Sequence, residues 1–245
     1  MRIYIGFDDT DTIDSNRGTG KLARWFENEL PDSCRLWGVV RQQLLLDPSI
    51  PYTTHNSSAC AIVEASNHCF IDDFISRAVH HIEHQFIPGS DPGLCVASED
   101  NPHLSRLIHF GRTCATRVVT QKEAMEAATG THLSGHGGTN DGIIGAAAAV
   151  GLTVHGWGGR FIEFGRLRDF PERILVSLLE QSGIAVVSAD RDAQICGPED
   201  VVDTKGWLRP RLWGGKPVLP VTPKEKNLWE TLGEKNRGRK NKEGG

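Results

Sequence analysis

The chain has 245 residues, 38% of them hydrophobic and 24% charged, with a formal net charge of −4 at pH 7. That is enough apolar material for one large domain or two small ones, and too acidic for a dedicated nucleic-acid coat. No run approaches the roughly 18 apolar residues of a membrane helix. The six cysteines form no C-x-x-C pair, which argues against a zinc ribbon and for a reduced, cytoplasmic chain.

Residues 1–7 (MRIYIGF) read as a buried strand that runs directly into Asp8-Asp9-Thr10-Asp11-Thr12. After a polar loop to Gly18-Thr19-Gly20, Leu22, Ala23, Phe26 and Leu30 fall on one face of a helix over 21–30, which Pro31 and Asp32 stop. Strands follow at 36–46 and 59–65. The apolar spacing at 71, 74, 75, 78, 79, 82 and 86 predicts an amphipathic helix over 71–86. A strand at 94–97 interrupts a proline-rich loop, and 104–128 is helical with a break at 118–120. The glycine-rich stretch 130–142 is expected to be loop, entering a small-residue helix from Ile143. A strand at 160–167, a helix over 171–181 and a strand at 184–188 complete an α/β pattern. From Pro223 the chain carries seven basic and four acidic residues and little apolar periodicity, so 223–245 is expected to be a basic, disordered tail.

Two segments carry chemistry. Asp8, Asp9 and Asp11 at the end of a buried strand repel one another unless a cation joins them. Magnesium, which takes one or two carboxylates plus phosphate oxygens, is the natural partner. The second segment is Gly135-His136-Gly137-Gly138-Thr139-Asn140-Asp141-Gly142-Ile143-Ile144-Gly145, a turn whose free N–H groups at a helix start suit an anion, with Gly138, Asn140, Gly142 and Gly145 as candidates. It is not a Walker A loop. Asn56, in a polar turn between strands, is suited either to hydrogen-bond a ligand or to close that turn. Lys21 and Arg41 are candidates for neutralising transferred charge. His80 and His84, and His132 and His136, are spaced four apart, with His136 a further candidate to approach phosphate.

Ile5-Gly6-Phe7-Asp8-Asp9-Thr10-Asp11, Pro48-Ser49-Ile50-Pro51-Tyr52-Thr53-Thr54, Asn101-Pro102 and Gly142–Gly151 occur in the order and at the separations seen in archaeal agmatidine synthase, the enzyme family that modifies a wobble cytidine of an isoleucine tRNA, and the chain resembles that family over about residues 1–220. A weaker match is Lys216-Pro217-Val218-Leu219. The resemblance implies a kinase-like ATP-binding domain over 1–155 and a ferredoxin-like domain over 156–222, without the family's OB-fold and zinc ribbon. It implies that Asp8, Asp9 and Asp11 hold Mg2+ and the ATP phosphates, and that the backbone at Gly142 and Gly145 approaches the nucleotide. Gly18-Thr19-Gly20-Lys21-Leu22 stands where the family has Gly-Met-Cys-Thr-Thr, leaving Thr19 as the hydroxyl nearest to the family's phosphorylated threonine.

The leading expectation is an Mg-dependent, ATP-using enzyme, ligase-like or kinase-like, that activates an acceptor. A small amine as co-substrate and an RNA or small molecule as acceptor stay open; a membrane partner is not expected. Two alternatives stand beside it: a non-catalytic nucleotide-binding module acting with a partner, and a haloacid-dehalogenase-like phosphatase using Asp9 and Asp11.

Overall fold

The computed structural model describes residues 1–50, 55–66 and 70–233. Pro51 to Thr54 of the motif at 48–54, Cys69 and the chain from residue 234 lie outside the described residues. The chain is a mixed α/β protein and divides into two compact units, one of Met1–Gly165 with Arg211–Pro217, the other of Arg166–Pro210 with the chain from Val218.

The first unit begins with β1 (Arg2–Asp8), in which Ile3, Ile5 and Phe7 alternate with Tyr4, Gly6 and Asp8. Period-two alternation sends these two sets to opposite faces. α1 (Thr19–Trp25) and a 3₁₀ turn over Phe26–Glu29 occupy the region read as one helix. β2 (Cys34–Gln43), β3 (Ser57–Ala65), α2 (Ile71–Gln85), β4 (Gly93–Ser98), α3 (Leu104–Cys114), α4 (Gln121–Ala127), β5 (His132–Gly135), α5 (Gly142–His155) and β6 (Trp157–Glu163) follow. The break between α3 and α4 falls where Val118–Thr120 interrupts the helical pattern, and Thr120 with Glu123 forms a capping box that starts α4.

The sheet of this unit runs β5–β4–β1–β3–β2–β6, with β10 (Arg211–Trp213) added beyond β6 when the chain returns. Every neighbouring pair is antiparallel. One face packs Ile3, Ile5, Phe7, Ala59, Ala61 and Val63 against α1 and α2. The other packs Cys60, Cys95 and Ala97 against α3 and the alanines of α5.

The second unit holds β7 (Arg173–Leu175), α6 (Val176–Gln181), β8 (Ala185–Ser188), β9 (Val201–Asp203), β11 (Lys216–Glu225, from Val218 in this unit) and β12 (Leu228–Thr231). β11 pairs parallel to β8 and antiparallel to β12, β12 parallel to β9, and β9 antiparallel to β7. The helix expected over 171–181 starts only at Val176, because Arg173–Leu175 is drawn into pairing with β9. Residues 223–233, expected to be tail, finish β11 and form β12, where Trp229 is buried and its indole N–H donates to the Asp200 carboxylate at 2.8 Å. One buried aromatic with a satisfied N–H anchors a segment that looks polar by composition. β5 forms inside the stretch read as loop, because Gly93–Val96 of β4 offers a free edge that His132–Gly135 fills.

α5 is the element that fixes the rest. Its sequence, Gly142-Ile143-Ile144-Gly145-Ala146-Ala147-Ala148-Ala149-Val150-Gly151, has almost no side-chain bulk and is buried nearly all round. The helix therefore lies directly on the backbone of the sheet: a Cβ at Gly6 would overlap the Ala146 carbonyl oxygen, and one at Gly93 would overlap the Gly142 carbonyl. Backbone cannot move aside as a side-chain tip can. Gly6→Ala is expected to destabilise the protein by about 2–4 kcal/mol, read as a lowered urea midpoint at unchanged m-value.

Candidate functional site

β1 ends on Asp8, whose side chain leaves the sheet on the α5 side. A Cβ at Gly145 would collide with Asp8 Oδ2, so the carboxylate sits against the first turn of α5 with nothing but glycine between. The chain then breaks out of the sheet at Asp9, which takes a left-handed φ of 47°. Such a conformation is costly for a residue other than glycine, and aspartate tolerates it better than most. Backbone bonds from Ile87 N to Thr10 O (2.9 Å) and Asp91 N to Asp9 O (3.1 Å) hold the bend.

Asp8 and Asp9 line a pocket of about 220 Å³ together with Leu44, Asn56, Cys114, Arg117, Asp141, Gly142, Ile144 and Gly145, among others. The start of α5 contributes to its wall and supplies the positive end of a helix dipole. Burial pushes the Asp8 carboxyl up to about 8, with the neighbouring charges of Asp9 and Asp11 adding to the shift. Burial also raises Asp9, to about 6, reinforced by the carboxylates of Asp91, Asp11 and Asp141. So many carboxylates around one pocket make it a place for positive charge.

Asp11 departs from the expected trio. Its Oδ1 accepts the Thr19 N–H at 3.0 Å and the Thr19 hydroxyl at 3.1 Å, so it caps α1 from the loop instead of turning into the pocket. Thr19 in turn accepts from the Thr10 hydroxyl at 3.1 Å and is itself buried. Among the described residues no three His, Cys, Asp or Glu side chains converge as a ready metal cage. Two carboxylates nevertheless satisfy magnesium when phosphate oxygens and water complete its shell, and the mutual repulsion of Asp8 and Asp9 is the kind of charge such an ion neutralises. The donor set at Asp8 and Asp9 fits that ion; Asp11 is committed to α1.

The glycine-rich turn holds an anion of its own making. Asp91 Oδ2 accepts the Thr139 N–H at 3.0 Å as well as the Thr139 hydroxyl, and Oδ1 accepts the Asn140 N–H at 2.6 Å. A Cβ at Gly138, which has a φ of +58°, would stand 2.8 Å from Asp91 Cγ. Gly138 and Asn140 are therefore spent on an internal carboxylate, and of the glycine-rich candidates it is Gly142 and Gly145 that reach the pocket. Asn56 both lines the pocket and closes its turn, donating from Nδ2 to the Leu45 carbonyl at 2.7 Å. Lys21 projects from α1 with its ammonium 4.9 Å from the Trp25 ring centroid and is not part of the pocket lining. Arg41 points to the α1 face of the sheet, since it pairs with Ala59 and donates to the Ser57 hydroxyl at 2.8 Å. His136 bonds Ser134 Oγ at 2.8 Å and Glu83 at 3.2 Å rather than approaching the pocket, and His80 stacks on His84.

Sequence reasoning missed Arg117, Asp91 and Asp141. Arg117 is the one cation among the described lining residues, held by Glu123 at 2.6 Å. No local signal marks it, because its place at the pocket depends on how α3 packs against α5. Asp91 sits in a D-P-G turn, where turn chemistry alone accounts for an aspartate.

No protein-family model matches the chain, and no curated protein matches it by sequence. Solved structures do match. A tRNA fluorescent labelling enzyme is 25% identical over 62% of this chain and 36% of its own, with a TM-score of 0.53. A complex of the agmatidine synthetase TiaS with its isoleucine tRNA and ATP is 20% identical over 81% of this chain and 50% of its own, at 0.55. A complex of TiaS with the same tRNA, AMPCPP and agmatine is 23% identical over 74% of this chain and 44% of its own, at 0.52. The fold is that of agmatidine synthetase. The chain spans half or less of the length of these structures. Among the described residues no helix is long and apolar enough to cross a membrane.

Because the native pKa of Asp8 lies above its ordinary 3.8, the folded state holds a proton that the unfolded chain gives up. The stability contributed by that proton is present below about pH 4 and lost as pH rises to about 8. Asp8→Asn is therefore expected to raise the melting temperature at pH 8 by roughly 3–8 °C, the size of about 1–3 kcal/mol in a domain of this length. The gain should shrink towards zero at about pH 4–5, as followed by circular dichroism across that range.

Proposed function

We propose that the first unit binds ATP as its magnesium complex at the Asp8 pocket and uses it to activate an acceptor. The observation that carries this reading is the Asp8 carboxylate, half-buried against the first turn of a glycine-start helix and raised to about 8. A carboxylate and a helix N-terminus facing one cavity are complementary to the two halves of a metal–phosphate complex. The fold comparison supports the same assignment, since solved structures of this fold are complexes with ATP, AMPCPP, agmatine and an isoleucine tRNA.

In this reading Asp8 and Asp9 would hold the ion, which supplies charge neutralisation on the phosphates when bound. Gly142 and Gly145 let phosphate oxygens approach the α5 backbone without meeting a side chain. Arg117 reaches the same cavity and offers a guanidinium to phosphate charge that develops during transfer. Asn56 contributes an amide to the same lining. An amine such as agmatine as co-substrate, an RNA acceptor and a cytoplasmic setting extend the reading from the resembled structures to this chain. The expected kinase-like and ferredoxin-like domains would correspond to the first and second units.

A second reading, a nucleotide-binding module without transfer chemistry, is favoured by one observation: Thr19, the hydroxyl nearest to the family's phosphorylated threonine, is buried and bonded to Asp11 and Thr10. The phosphatase alternative loses support from the same contacts, because Asp11 is turned away from Asp9 towards α1.

Calorimetric titration of the full chain with ATP in excess magnesium tests the proposal. Asp8→Ala is expected to weaken binding by about tenfold or more and Arg117→Ala by about three- to tenfold, the size of about 0.7–1.4 kcal/mol. Unchanged affinity in Asp8→Ala would refute the site. Phosphate release on adding agmatine or RNA separates enzyme from module, since binding without any turnover supports the second reading.

A further inference from the structure

On the opposite face of the sheet from the Asp8 pocket, the end of β5 carries a polar row. His132, Ser134 and His136 are two residues apart, so their side chains share one face of the extended chain. That face is the α2 side: Ser134 is the direct strand partner of Leu94 and His132 of Val96, and both partners belong to the core packed on α2. Glu83, on α2, completes the group.

Ser134 Oγ stands 2.8 Å from His136 Nε2 and 2.9 Å from His132 Nε2, and His136 Nδ1 lies 3.2 Å from a Glu83 carboxylate oxygen. Counting hydrogens gives these contacts one direction. A carboxylate only accepts, so His136 donates through Nδ1–H and, as a neutral imidazole, accepts at Nε2. The Ser134 hydroxyl gives its single hydrogen to His136, and its oxygen accepts the Nε2–H of His132. Burial, and after it the neighbouring His136, lower the pKa of His132, which keeps that ring neutral with one hydrogen to give. A hydroxyl, an imidazole that accepts its proton and a carboxylate that orients the imidazole stand in the order of nucleophile, base and orienter. Stiffening the end of a strand needs no such order.

The group is reachable. The His136 side chain is only 8% exposed, while Ser134 is half-buried and Glu83 is exposed. Among the described residues no strand lies beyond β5 in the sheet. The His136 N–H bonds the Pro92 carbonyl at 2.8 Å, so by strand alternation the N–H of Gly135 points away from β4, at an exposed residue. A backbone donor directly after the nucleophile is available to the oxygen of a carbonyl under attack. Glu83 makes the group negative while both histidines are neutral, which suits a neutral carbonyl rather than a phosphoester.

We infer that Ser134 and His136, with Glu83 as their positioning residue, form a second reactive centre that cleaves small carboxylic esters, distinct from the Asp8 pocket. Ser134 Oγ bonds to the carbonyl carbon as its proton passes to His136 Nε2. The adduct then expels the alcohol oxygen, which takes that proton from His136. Water repeats the two steps on the acylated serine, giving its proton through His136 to Ser134 Oγ and releasing the carboxylic acid.

The test uses the full chain, with a fluorophosphonate located by peptide mass spectrometry and p-nitrophenyl acetate followed by absorbance. The wild-type chain is expected to carry the fluorophosphonate on Ser134. Ser134→Ala and His136→Gln should each lower ester turnover by about tenfold or more. Glu83→Gln keeps an acceptor for the imidazole and loses the charge, so it should lower kcat by about tenfold at unchanged KM and unchanged melting temperature. No adduct on Ser134 of the wild-type chain overturns the inference, and that reading needs no variant to fold. Equal turnover by wild type and Ser134→Ala overturns it as well. So does a Glu83→Gln variant that melts lower but turns over normally, which would make the row a structural tie between β5 and α2.

Discussion

The contact of a helix backbone with a strand backbone sets the terms for everything else in the first unit. α5 has no side chains large enough to hold it away from β1, and Gly6 and Gly93 remove the matching bulk from the sheet. At the end of β1, where the chain turns acidic, Gly145 continues the same close approach. Asp8 is thereby pressed against the helix start, and its raised pKa follows from that desolvation before any neighbouring charge is counted. Packing and electrostatics are thus one problem here: moving α5 outward by a methyl group would relieve Asp8 and dismantle the pocket together.

Much of this arrangement is legible in the sequence. Alternation in residues 2–8 separates the core side of β1 from its Asp8 side, and the small-residue run from Gly142 announces a helix that packs closely. The spacing in 71–86 yields α2 to within a residue. What is not legible depends on partners distant in the chain. β5 exists because β4 has an edge to fill, and β12 exists because Trp229 finds a buried place and Asp200 accepts its N–H. Composition over 223–233 carries neither fact.

The candidate site shows the same division. Three aspartates in four residues mark an acidic position, but sequence alone does not reveal which of them turns away. Asp11 is drawn off by the unpaired N–H of Thr19 at the start of α1, a competition between two demands on one carboxylate. The glycine-rich turn repeats the lesson with the roles exchanged. Its N–H groups do bind an anion, and the anion is Asp91 from 48 residues away. Local pattern identifies a capacity for charge; topology decides who uses it.

Arg117 and Glu123 extend that theme to a coupling. One oxygen of Glu123 holds Arg117, while the other accepts the N–H and hydroxyl of Thr120 as part of the capping box of α4. These contacts keep the Glu123 carboxyl down at about 2, so it stays ionised throughout the physiological range. A phosphate arriving in the cavity would compete with Glu123 for the same guanidinium. Whatever share of Arg117 it captures leaves the cap of α4 with a carboxylate freer to swing. The first turn of α4 is accordingly a built-in reporter, and its amide exchange would register an occupant that never touches it.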